Sequence, residues 1–310
     1  MLVTGGAGFI GAALVRNLLA VGCRVRILDN LSTGVASHLT GTEVELMRGD
    51  VCCEADVDAS LAGVGQVVHL AAAGSVMSSA TDPVANFEAN VVGTFNLLDR
   101  ARRAGVERVV LASTGGALFG QAEPPVDEST VPSPISPYGA SKLAAEGYAR
   151  AFAHTYKMRT IALRFGNVYG PWSERKRGAV TAFFQAIESE RPMVIYGDGA
   201  ASRDFIYVDD VAQGILRSLD ADLPVATVMH ICSGVETSVS CLAELCRQVA
   251  GAPDHPIVYH EKRAVEVVRT FASYDLARCL VGFRPTVDMA TGLARTWAWL
   301  RDEAPRLREL

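Results

Sequence analysis

Val3-Thr4-Gly5-Gly6-Ala7-Gly8-Phe9-Ile10-Gly11 carries the chain from an apolar β-branched segment into a helical pattern. Leu14, Val15, Leu18 and Leu19 then recur on one helical face. In a strand–loop–helix setting each glycine has its own use. Gly5 permits a tight turn, Gly8 lets a pyrophosphate approach the backbone, and Gly11 lets helix and strand pack closely. The helix N-terminus adds free N–H groups for the anion. The spacing is G-x-x-G-x-x-G rather than the tighter G-x-G-x-x-G, and a lone triplet is a weak sign. Its context is what points to dinucleotide binding.

The same alternation continues downstream. Strands are expected at 1–4, 24–28, 43–48, 66–70, 108–112, 160–165 and 228–232, with helices at 11–21, 86–104 and 137–156. The strands read as continuous apolar runs, as strands covered on both faces must. The expectation is an α/β fold built on a parallel sheet with helices on both sides. Pro and Gly cluster at 120–137 and 166–178, which read as long functional loops. Residues 1–166 form the expected first domain. The pattern is less regular from 167 to 310, the expected smaller domain, with returns to the main sheet near 203–219 and 228–232.

Composition excludes several classes. A net charge of −5 over 310 residues argues against nucleic-acid and anionic-membrane surfaces. No apolar run approaches the roughly 18 residues of a membrane span. The seven cysteines show no paired metal spacing, so no metal site is expected and they read as buried reduced thiols. A cytoplasmic protein is expected, because no leader pattern precedes the first motif.

Asp29 follows the second strand. There an acid can accept hydrogen bonds from a ribose 2′-hydroxyl and repel a 2′-phosphate, favouring NAD over NADP; Asp29-Asn30 also suits a solvated turn. Asp50, after the third strand, suits either an adenine contact or a helix cap. Tyr138 and Lys142 stand four residues apart and share a helical face. An ammonium beside a phenol favours the phenolate, lowering the tyrosine from its usual value near 10 and giving a general base. Ser113 and Thr114 end the fifth strand, where a hydroxyl can face the same substrate oxygen; Thr114 is favoured, and a turn hydroxyl is the alternative.

These features, with Gly49-Asp50-Val51, His69-Leu70-Ala71-Ala72, Asn90-Val91-Val92-Gly93-Thr94, Ser136–Lys142, Gly197-Asp198-Gly199 and Arg203-Asp204-Phe205-Ile206-Tyr207-Val208-Asp209-Asp210, resemble the extended short-chain dehydrogenase/reductase superfamily along essentially the full chain. Within it the chain is similar to NAD-dependent nucleotide-sugar epimerases and dehydratases. The resemblance implies a Rossmann doubly wound sheet with a smaller C-terminal substrate-binding domain. It implies NAD contacts from Gly5, Gly8, Phe9, Ile10 and Gly11, and from Asp29, Asn30, Ser32, Thr33 and Gly34. Further contacts come from Asp50, Val51, Leu70, Ala71, Ala72 and Asn90, and then from Ser113, Tyr138, Lys142 and Phe165.

For a nucleotide sugar the implied contacts are Ser75, Thr114, Gly115, Tyr138 and Asn167, then Val180 and Tyr196, with Arg203, Arg263 and Glu266 at the diphosphate or nucleoside ribose. Arg203 could instead pair with Asp204 or Asp209. The run from Ser113 to Gly120 holds no Asp or Glu, so it lacks the acid that elimination at carbons 5 and 6 needs. The pattern therefore looks like a 4-epimerase. Two departures stand out: the Gly115-Gly116 stretch is one residue longer than the commonest form, and Phe119 stands where a tyrosine is usual.

The residues 75–79 and 172–178 are expected to line the hexose pocket. Arg175, Lys176 and Arg177 form a cationic run that reads either as a solvated surface or as a clamp in which Arg175 or Arg177 binds a 6-carboxylate. UDP-glucose with UDP-galactose is the first expectation and UDP-glucuronate the alternative. A one-way nucleotide-sugar reductase and a non-catalytic NAD-sensing protein are the competing classes. The helices at 86–104 and 137–156 are expected to pair across a two-fold axis in a homodimer.

Overall fold

β1 (Leu2–Thr4) is wholly buried because helices cover both faces of the sheet it centres. The structure is a computed structural model and describes residues 1–176, 178–262 and 267–308. Six more strands join β1 in one parallel sheet. They are β2 (Arg26–Asp29), β3 (Glu45–Arg48), β4 (Gln66–His69), β5 (Arg108–Thr114), β6 (Arg159–Phe165) and, after β7 (Asn167–Tyr169), β8 (Met193–Tyr196) and β9 (Ser202–Tyr207), β10 (Ala226–Ile231). Their order is β10-β6-β5-β4-β1-β2-β3. The order reverses between β1 and β4, which opens a crevice beyond the strand C-termini where ligands of such sheets sit.

All seven expected strands lie in this sheet. The boundaries move at functional ends: β2 reaches Asp29 and β5 reaches Thr114. β3 departs from the continuous apolar pattern. It is an edge strand, and Glu45 and Arg48 stand exposed on it, which blunts edge-to-edge pairing.

The helices α1 (Phe9–Ala20), α2 (Glu54–Leu61), α3 (Val76–Thr81), α4 (Pro83–Phe87), α5 (Gly93–Arg103), α6 (Pro137–Tyr156), α7 (Ala179–Glu188), α8 (Val208–Asp220) and α9 (Val239–Ala250) follow in order. α1 packs with α8 through Leu14, Leu18, Val211 and Ile215. α2, α5 and α6 pack together through Val57, Leu97, Leu98 and Phe152. Burying each such aliphatic side chain contributes about 1.5–3 kcal/mol. α4 runs into α5 through a π-helical turn, Glu88–Val92, that carries Asn90. Turns of that kind inside helices gather at functional sites.

Beyond β6 the chain makes two small sheets, β11 (Glu236–Ser238) with β9 and β7, and β12 (Ile257–His260) with β8. A separate core of Phe183, Phe184, Leu242 and Trp299 supports them. The expected return to the main sheet occurs at β10, paired with β6 from Ala226↔Thr160 to Ile231↔Phe165. The 203–207 stretch does not return to it; β9 forms the small sheet instead, and only α8 packs back against α1. Among the described residues no helix is long and apolar enough to cross a membrane.

Candidate active site

The glycine loop turns at Gly5, whose φ is +70°, and Gly8 caps α1 without a side chain. A Cβ at Gly11 would collide with the Gly5 carbonyl, so only glycine lets the helix start so close to the strand. Asp29 stands beside this loop and is only 7% exposed, so it is not a solvated turn residue. Its carboxylate accepts the Ala7 N–H at 2.9 Å and the Leu31 N–H at 2.8 Å. Asn30 donates to Asp50 at 2.7 Å, and Asp50 accepts the Cys52 N–H at 2.8 Å. Asp50 therefore makes a turn rather than a cap for α2. Partial burial opposes its ionisation, but those hydrogen bonds prevail and hold it below the usual carboxylate range. Ser32 donates its N–H to Asn30, Ser32 and Thr33 are exposed, and Gly34 abuts the Asp29 carboxylate.

Across the switch point, Leu70 N–H donates to the Thr4 carbonyl and Ala71 N–H to the Thr4 hydroxyl. His69 is buried between the hydroxyls of Thr4, at 2.7 Å, and Thr94, at 2.9 Å. Burial and then the nearby Lys142 charge lower it to about 3, so it is neutral at neutral pH. Asn90 accepts the Ala73 N–H at 2.8 Å and donates to Ser141 at 2.9 Å. Its amide thus ties the segment after β4 to the first turns of α6, while Val51 packs in the core alongside. Ala72 lies part-buried between these anchors.

Ser136 caps α6 by accepting the Gly139 N–H at 3.1 Å, and Pro137 takes the first helical position. Tyr138 then sits on the first turn, its own N–H donating to buried Ser79 at 3.1 Å. A Cβ at Gly139 would strike the Ala117 carbonyl, so glycine there lets the loop after β5 close on that turn. The Tyr138 phenol lies by the Thr114 hydroxyl, which favours its ionised form. Thr114 in turn accepts the N–H groups of Gly116 and Ala117 at 3.4 and 3.3 Å. Lys142 is buried and donates to the Ala112 carbonyl at 2.9 Å.

The electrostatics correct one expectation. Tyr138 does not stand below its ordinary value. Burial pushes the phenol up to about 12, and the Thr114 hydroxyl only partly offsets this. The Lys142 ammonium is turned to the β5 backbone, and burial lowers it to about 8 against the pull of Glu146. The Ser113 side chain is engaged within the protein. Its hydroxyl donates to Glu146 at 2.5 Å, and Arg164 grips the same carboxylate at 3.0 and 2.8 Å. This buried ion pair was missed in the sequence, although Glu146 continues the Tyr138, Lys142 helical spacing. The Arg164 guanidinium lies over the Phe119 ring at 5.2 Å, so the ring that replaces a usual tyrosine packs against a cation.

Residues 1–232 match the model of the NAD dependent epimerase/dehydratase family. The chain belongs to this family. It is 36% identical to the UDP-glucose 4-epimerase of Mycolicibacterium smegmatis over 98% of this chain and 99% of that one. It is 30% identical to the UDP-glucuronate 4-epimerase of Thermodesulfobacterium geofontis over 100% and 98% of the two chains. The Thermus thermophilus UDP-glucose 4-epimerase, solved in complex with NAD, superimposes with a TM-score of 0.91 at 33% identity, covering 98% of this chain and 99% of the other.

As a member of this NAD-dependent epimerase family the chain uses NAD. Its own residues fit the cofactor. Gly5, Gly6 and Gly11 have no room for a side chain, and Asp29 is buried where a ribose diol would pair with it. On the sugar side, Gly115 donates its N–H to the Phe165 carbonyl at 2.8 Å, and it lines a small depression with Asn167, Asp204 and Thr270. Ser75 caps α3 by accepting the Ser78 N–H. Arg203 donates to the Ser202 carbonyl at 2.7 Å. Of the two acids expected near it, Asp204 accepts the Ser233 and Gly234 N–H groups, and Asp209 lies near Arg295. Val180 points into the core of α7, and Tyr196 stands edge-on to His260 at 5.8 Å. Arg175 is exposed. Arg177, Arg263 and Glu266 lie outside the described residues. The seven cysteines are free, but only Cys232 and Cys246 are buried, contrary to the expectation of buried thiols throughout.

Proposed function

We propose that the chain is an NAD-dependent UDP-hexose 4-epimerase that interconverts UDP-glucose and UDP-galactose through a 4-keto sugar. The observation that carries this reading is the proximity of the Tyr138 phenol to the Thr114 hydroxyl at the end of an acid-free strand terminus. The two hydroxyls can share one substrate oxygen, the sugar 4-hydroxyl. Bound NAD supplies a reversible hydride acceptor and a positive charge that draws the phenol towards ionisation. Tyr138 takes the 4-hydroxyl proton and later returns it, and Thr114 steadies the oxygen as it gains carbonyl character. Lys142 holds its ammonium on the same helical face. Asn167, Arg203 and the residues 167–310 hold the UDP, so that the keto sugar turns over within the site before proton return. A dehydratase would need a carboxylic acid along 113–120, and none is there.

The exposed Arg175 supports UDP-glucuronate as the second reading, with the guanidinium binding the 6-carboxylate. The test is product NMR after separate incubations with UDP-glucose and UDP-glucuronate. Arg175→Ala that impairs both sugars equally would remove the carboxylate reading.

The enzyme acts as a cytoplasmic homodimer in this reading. Phe87, Phe95, Tyr148 and Tyr156 lie exposed on α4, α5 and α6, a run of apolar rings that a second copy would cover as a four-helix bundle.

A further inference from the structure

We propose that Lys176 is a binding residue for the cofactor pyrophosphate, delivered from the sugar-side loop after β7 to the first turn of α1. The Lys176 ammonium donates to the Val168 carbonyl and lies 5.2 Å from the centre of the Phe9 ring. Phe9 is the first residue of α1. A cation there faces the positive end of the helix dipole, which disfavours it by itself. Lys176 as a residue is exposed, but its ammonium is packed against the loop, and desolvation there disfavours the charge as well and lowers it to about 8, leaving it mostly charged at neutral pH. Among the described residues no carboxylate pairs with it, and Val168 takes one of its three N–H donors.

An anion between Lys176 and the helix terminus relieves both costs. The pyrophosphate that the glycine loop is built to hold is such an anion. The loop is braced to keep the lysine in place. Ser173 donates to the Gly170 carbonyl at 2.6 Å, and Glu174 pairs with His38 at 2.8 Å, tying the loop to the turn that follows β2. Arg175 and Lys176 are both exposed residues, but the Lys176 ammonium turns back to the Phe9 ring on the cofactor side. The two halves of the molecule then grip one dinucleotide.

The experiment compares the full-length wild type with Lys176→Met, Lys176→Gln and Lys176→Arg. Calorimetry on protein stripped of resident NAD measures the binding of ADP, ADP-ribose, adenosine and, separately, UDP. The Met and Gln variants should bind ADP and ADP-ribose about tenfold more weakly, the worth of one charge-assisted hydrogen bond. Adenosine and UDP binding should not change, and Arg should restore most of the ADP affinity. Thermal melting identifies any variant that fails to fold, and the remaining variants then decide. Unchanged ADP binding would overturn the proposal. So would a loss of equal size on adenosine, which marks a structural loop residue, or a loss on UDP in place of ADP.

Discussion

The hydroxyl of Thr114, at the last position of β5, lies by the phenol of Tyr138, in the first turn of α6, and lowers its pKa against the effect of burial. That proximity joins two segments whose order in the sequence does not reveal their contact. The Ser113 hydroxyl is instead taken by Glu146. Tyr138→Phe should lower kcat by about 10²–10⁴-fold with little change in melting temperature, the usual worth of a positioned acid–base group. Thr114→Val should cost about tenfold or more, and Thr114→Ser should recover most of it, because the loss is that of one donor. Steady-state kinetics on UDP-galactose checks all three.

Glu146 and Arg164 are buried together, with Ser113 on the same carboxylate. Glu146→Ala strands the guanidinium and should destabilise the chain by about 3–5 kcal/mol. The double variant Glu146→Leu with Arg164→Met should recover much of that, because no buried charge remains. Urea denaturation of the two proteins measures the difference.

His69 makes stability pH-dependent. Its folded value of about 3 lies below the ordinary 6.5, so between these values the unfolded chain binds a proton that the folded chain refuses. Stability from this group is present above pH 6.5 and is lost as pH falls towards 3, with a slope of at most about 1.4 kcal/mol per pH unit. His69→Asn should flatten that acid limb in denaturation midpoints recorded from pH 7 to 4.

Much of this site was legible before the fold was known, and the reasons differ by residue. Glycine spacing encodes steric room, so Gly5 and Gly11 fell where the backbone needed them. Continuous apolar runs located the central strands, because burial on both faces leaves no polar choice. β7, β8, β9, β11 and β12 were not read as strands; all five lie in the two small sheets outside the doubly covered central one. The sign of the Tyr138 shift was missed because helical spacing shows that Lys142 is near but not that its ammonium turns to Ala112. The inward fold of Lys176 was hidden for a similar reason: a run of three cations looks the same in sequence whether or not one of them turns back.

Phe95 stacks edge-on against Tyr148 at 5.4 Å while both remain exposed. Phe95→Glu combined with Tyr148→Glu should place two carboxylates in the proposed helix–helix interface and yield a monomer. Light scattering at equal concentration compares this variant with the dimer expected of the wild type.

The central claim is tested most directly by proton NMR of UDP-glucose and UDP-galactose incubated with the purified chain and no added NAD. The account predicts that either sugar is converted to a mixture of both, with no net NADH formed, because hydride is removed and returned within one site. Failure to form the 4-epimer from either sugar, even after NAD is supplied, would contradict it.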